Sequence, residues 1–112
     1  MSHKDHPETP DGRYFVARGR LWRKTNPGLS DSERRRVIKA LMRARLEARN
    51  AVEDAAIKKA RAAVEDAKRR LGEVGPVWWT DGAPDEQGLD PSCSSYAVWW
   101  SELPEDDRLK GR

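Results

Sequence analysis

The stretch DSERRRVIKALMRARLEARNAVEDAAIKKARAAVEDAKRRL, Asp31 to Leu71, decides the fold. It holds no Gly or Pro and is dominated by Ala, Arg, Lys, Glu and Leu, all strong helix formers. Its start is marked by Ser30 followed by Glu33, a capping box, with Leu29 placed as a hydrophobic staple. Its end is marked by Lys68, Arg69 and Arg70, then by Gly72 and Pro76. A single helix of this length would run about 60 Å, which is long for a small domain, and the apolar pattern breaks inside it. Ile57, Ala60, Val64, Ala67 and Leu71 form one heptad seam. Ile38, Leu41, Arg45, Ala48 and Val52, with Val37 and Met42 beside them, form a looser one. Continued in sevens, the first stripe lands on Lys59 and Asp66, so the two are out of phase and the change falls near residue 50. Asn50 with Glu53 reads as a second capping box. The expectation is an antiparallel hairpin of helices 31–49 and 51–71, turning around Arg49 to Ala51. Its rival is one bent helix whose seam pairs with another chain as a coiled coil.

A hairpin brings residues 30 and 72 to the same end, so the aromatic segments on either side of it are expected to meet. RYFVARGRLWRK, Arg13 to Lys24, favours a β-ribbon, with a bulge or turn at Arg18-Gly19-Arg20. TNPGLS is a loop. PVWWT, residues 76–80, follows Gly75 and precedes the turn signal Asp81-Gly82, so it reads as extended. Neighbouring side chains then point to opposite faces. One of Trp78 and Trp79 is expected in a mini-core with Tyr14, Phe15 and Trp22, and the other at solvent or a partner. In SSYAVWWSEL, by contrast, Tyr96, Trp99, Trp100 and Leu103 are spaced as one face of a helix over 95–103, with Ser94 or Ser95 as cap and Pro104 at the end. The look-alike strings VWWTDGAPDE and VWWSELPEDD are therefore not a repeat. Residues 1–12 are expected to be disordered and 104–112 to be a polar tail, leaving 13–103 as a single small domain. The fold class is mainly α, a helical hairpin with a short N-terminal aromatic β-ribbon and a short C-terminal helix.

Composition limits the core. Of 112 residues, 37% are charged and only 37% are hydrophobic, and 13 are Ala, so the large apolar side chains are few. A thin core favours a protein partner or self-association. The single Cys93 forms no internal disulfide, no run is long enough to span a membrane, and the start has no secretory signal. The expected location is cytoplasmic. Charge is unevenly spread: residues 13–29 carry +5 and 30–71 carry +6, against −2 for 1–12 and −6 for 72–112. Such local fields matter more than the total.

The basic ribbon is the leading candidate site. Arg18, Arg20, Arg23 and Lys24 interleaved with Trp22 suit phosphate contact and base stacking. The plainer reading pairs these bases with Asp81, Asp85 or the acidic tail. Asp81 and Asp85 near Trp78 and Trp79 suit acid–base work or a hard cation, but no catalytic partner accompanies them, and a turn with an ion pair explains them as well. His3, Asp5 and His6 lack further metal ligands, and Cys93 lacks a nearby activating His. No cofactor is read from the sequence, and no enzyme.

DGRYFVARGRLWRKTNP, Asp11 to Pro27, and LGEVGPVWWTDGAPD, Leu71 to Asp85, resemble the two signature segments of an uncharacterised family of short bacterial proteins. Its members separate those segments by an Ala- and Arg-rich helical stretch, often with a Gly-Asp break, and tend to carry Tyr and Trp as in SYAVWW. The resemblance implies a hairpin and supplies no activity. After Asp85 this chain departs from the family, with EQGLDPSCS in place of an Asn- and Arg-containing stretch. The functional expectation is a small binding or interaction module, with nucleic-acid binding through residues 18–24 as the alternative.

Overall fold

A computed structural model of the chain describes residues 5–112. It is mainly helical, with a two-stranded antiparallel sheet near the N-terminus. The described chain divides into two compact units: Thr25–Trp78, and residues 5–24 with Trp79–Arg112.

The continuous unit is the helical hairpin. Helix α1 runs Asp31–Asn50 and α2 runs Asp54–Leu71. The Ser30 side chain accepts from the Glu33 amide at 3.2 Å, as its position predicts. The proposed second cap fails. Asn50 is the last residue of α1, and Glu53, the N-cap of α2, makes no side-chain capping bond, so the turn is 51–53 and α2 starts three residues later than expected. The other end closes at Gly72, left-handed at φ 82°, where the Gly72 and Glu73 amides donate to Arg69 and Lys68 carbonyls. Leu29 packs on a core of Val37, Leu41, Ala67 and Leu71, with Ile38 and Val64 at its margin. Burying a Val or Leu contributes about 1.5–3 kcal/mol, so this cluster holds the open end of the hairpin. There the Asn26 amide donates to the Leu71 carbonyl at 2.8 Å. Toward the turn the buried residues shrink to Ala44 and Ala60, while Met42 and Val52 of the expected first stripe are exposed.

The discontinuous unit is built on β1, Tyr14–Ala17, and β2, Arg20–Arg23. Arg18 at φ 56° and Gly19 at φ 74° form the two-residue loop between them, the conformation that matches the twist of a hairpin. Tyr14, Val16, Leu21 and Arg23 share one face, and Phe15, Ala17, Arg20 and Trp22 the other. Both edges are covered. Glu8 bridges Phe15, the Val16 amide donates to Pro7, and Thr9 is buried. On the far side Leu21 exchanges backbone bonds with Gly88 and Leu89. Residues 5–12 are therefore ordered rather than loose, because unpaired strand edges recruit whatever backbone lies beside them. His3 lies outside the described residues.

Over 76–80, expected to be extended, the chain bends at Pro76 and Trp78, and Trp78 and Trp79 part company. Trp78 lies over Gly72 in the hairpin unit, where an added Cβ would sit 2.9 Å from its ring. Trp79 is buried in the other unit beside Tyr14. The C-terminal helix is α3, Ala97–Glu102, shorter than 95–103. Tyr96, Trp99, Trp100 and Leu103 are half-buried while Val98 is exposed, so the predicted face holds. The expected polar tail instead forms α4, Glu105–Lys110. Its C-cap Gly111 is buried, and an added Cβ there would meet Val16 at 2.9 Å and Trp100 at 3.1 Å.

Candidate functional site

The densest polar arrangement surrounds Tyr14. Its ring stands edge-on to Trp79 and to Tyr96, each at 5.6 Å. Its hydroxyl accepts from the Glu86 amide at 2.8 Å and donates toward Asp85 at 3.4 Å. Burial, with the nearby Asp85 and Glu86 charges, pushes the phenol up to about 12 against the opposing Glu86 amide bond. The Tyr96 hydroxyl donates to Asp11 at 2.6 Å, and burial together with that carboxylate pushes its pKa up too. Burial disfavours the Asp11 charge, but bonds from Tyr96, Thr9 and the Arg13 amide outweigh it and hold the carboxyl below its usual range. Asp81 accepts from the Ala83 amide and from Arg13, and both hold its pKa below the usual carboxylate range. Arg23, only 3% exposed, lies 3.8 Å from Asp85.

This network consumes its own chemistry. Asp81 and Asp85 close turns through the Ala83 and Gln87 amides while facing Arg13 and Arg23. Trp79 spends its indole N–H on the Ala83 carbonyl at 2.7 Å. Each carboxylate thus serves the fold twice, as acceptor in a turn and as counter-ion to an arginine. Among the described residues, no group of three His, Cys, Asp or Glu is placed to hold a metal ion. Cys93 is exposed, with the Ser92 hydroxyl 3.9 Å away. His6 donates from Nδ1 to the Lys110 carbonyl at 3.0 Å and packs against Phe15.

The ribbon residues do not act as one stripe. Arg23 is buried on the core face, and Lys24 pairs with Glu8 at 2.8 Å. Trp22 is half-buried and donates to the Ala17 carbonyl at 2.8 Å. Arg18 and Arg20 remain at the surface, and Arg20 donates to the Gly88 carbonyl. Of the five Trp side chains, Trp79 is buried and the other four are half-buried.

The exposed positive surface lies elsewhere, on α1. From Arg34 to Leu46 the chain has six bases and no acid. Arg35, Lys39 and Arg43 follow one another at i, i+4, i+8, opposite the face that buries Val37, Leu41 and Ala44, and all three are exposed. Ion pairs within the two helices join Arg34 to Asp31 and Arg69 to Glu65; none among the described residues involves Arg35, Lys39 or Arg43. These bases belong to the segment 30–71 that carries +6; their lack of counter-ions is not readable from sequence, because acids elsewhere in the chain are free to approach them. No helix among the described residues is long and apolar enough to cross a membrane. No protein-family model matches the chain, and no curated protein and no solved structure matches it.

Proposed function

We propose that the chain is a non-enzymatic binding module that holds a polyanion, nucleic acid, against the outer face of α1. The observation that carries this reading is the row Arg35, Lys39 and Arg43, exposed, free of ion pairs and set in an acid-free segment. Steps of four residues advance about 6 Å along a helix, so the row presents regularly spaced cations to a chain of phosphates. Arg36 and Arg49 widen the same basic surface. Backbone contact of this kind is sequence-independent and releases counter-ions. The family likeness of Asp11 to Pro27 and Leu71 to Asp85 is compatible with this role, and a cytoplasmic site of action goes with it.

The test is a salt series against labelled single- and double-stranded oligonucleotides. Affinity should fall steeply with salt, and the triple variant Arg35→Ala, Lys39→Ala, Arg43→Ala should flatten the log–log slope by about 0.9 per lost duplex contact. No binding at low salt, or a slope the triple variant leaves unchanged, would overturn the reading. A second reading places the contact at the β-turn, where Arg18 and Arg20 are exposed. It requires Arg18→Glu with Arg20→Glu to abolish binding while the α1 triple variant retains it.

A further inference from the structure

The half of the hairpin near its turn is short of core. Its buried residues are Ala44 and Ala60 and Ile57 is half-buried, while two large apolar side chains are exposed: Leu46 at 48% and Val52 at 89%. Between the helices there, an open groove of about 420 Å³ is lined by Leu46, Glu47, Asn50, Ala56, Lys59 and Ala60. Alanines make this groove roomy, and Val52 stands in the turn that closes it. Val52 follows Ala51, which lines the groove, so the exposed side chain and the groove are neighbours in the chain. Its charges are also mixed: Glu47 comes from α1 and Lys59 from α2.

We infer that this surface receives a second copy of the chain, hairpin turn against hairpin turn, in a two-fold dimer. A two-fold interface uses the same patch twice, so it must be complementary to itself. Here the two-fold sets each Val52 toward the alanine-lined groove of the other copy and each Glu47 toward the other Lys59. With Glu47 set against Lys59 and exposed aliphatic groups around them, the groove suits a protein surface better than a chain of phosphates. The dimer stands independently of the polyanion reading and would join two basic α1 faces, raising avidity without a new phosphate contact.

The experiment is the solution mass of nuclease-treated full chain by light scattering and sedimentation, from micromolar to millimolar concentration at moderate salt. The expected result is a concentration-dependent rise to twice the chain mass. Val52→Asp should return it to the monomer with helix content unchanged by circular dichroism. Glu47→Lys should weaken the dimer about tenfold, as loss of an interfacial charge pair does, and adding Lys59→Glu should restore it. Because Val52 is so exposed, its replacement does not endanger the fold. A monomer at every concentration, a dimer indifferent to Val52→Asp, or a Glu47→Lys, Lys59→Glu double variant no better than the single one would each overturn the inference.

Discussion

Arg13 lies over the ring of Trp79, its guanidinium carbon 4.9 Å from the ring centroid, and reaches on to the Asp81 carboxylate. One side chain thus joins the strand β1 entrance to the turn at residues 81–83. Arg13→Met should lower the melting temperature at neutral pH. Bonds from the Ala83 amide and from Arg13 hold Asp81 below the usual carboxylate range. A depressed carboxylate contributes stability that is complete above its unfolded value near ~3.9 and lost as pH falls through its lower folded value. The gap between wild type and Arg13→Met should therefore close in acid. A gap that persists at pH 2 would assign Arg13 to packing on Trp79 alone.

Tyr14 is the centre of the aromatic cluster, and among the described residues its hydroxyl is the one partner of the Glu86 amide. Tyr14→Phe keeps the ring contacts and strands that donor, at a cost of about 1–3 kcal/mol. Chemical denaturation measures it. The phenol, raised to about 12 by burial, gives a second readout. A raised folded value means that stability is present below the unfolded value near ~10 and declines as pH climbs from there toward the folded one. Ultraviolet titration should show one late-ionising tyrosine fewer in Tyr14→Phe.

Arg18 occupies a left-handed position, φ 56°, with a full side chain. For an L-residue that conformation costs roughly 1–2 kcal/mol, and Asn or Gly relieves part of it. Arg18→Asn should raise stability by about 0.5–1 kcal/mol. A loss of stability would mean that the Arg18 side chain contributes more than its backbone costs.

Glu73 follows the hairpin's closing glycine. Burial raises its pKa above the ordinary value, against the attraction of Arg45 and Lys68. For a raised carboxyl the charged form is the unfavourable one in the fold, so stability is lost as pH rises through that range. Glu73→Gln should melt higher than wild type at pH 7 and match it below pH ~4. Equal melting temperatures at both pH values would show that the arginine and lysine offset the burial in full.

How far this was legible from sequence depends on whether the signal was periodic or conditional. The phase slip between the Leu41 and Val64 stripes located the hairpin, since helix faces repeat whatever surrounds them. The turn was misplaced because Asn50 is equally acceptable as a cap and as a last helical residue, and only the packed chain chooses. Residues 5–12 looked loose because Thr9 and Pro7 carry no pattern of their own; their order comes from the β1 edge. The same holds for Gly111, which is buried only because Val16 and Trp100 leave room for nothing larger. For the candidate site, Arg23 looked like its neighbours Arg18 and Arg20, and the strand's alternation alone turned it inward toward Asp85. The α1 row was visible as charge, but its lack of counter-ions was a three-dimensional fact.

The bond from the Asn26 amide to the Leu71 carbonyl has a kinetic meaning. The discontinuous unit needs residues before Lys24 to find residues after Trp79, a closure whose entropic cost grows with the length of free chain between them. A hairpin whose ends already meet removes most of that length. Its own contacts are among near neighbours in sequence and form early, while the β-ribbon and aromatic cluster wait for them. Substitutions in the Val37 and Leu71 cluster should therefore slow the folding of the whole chain, whereas those around Tyr14 should chiefly speed its unfolding.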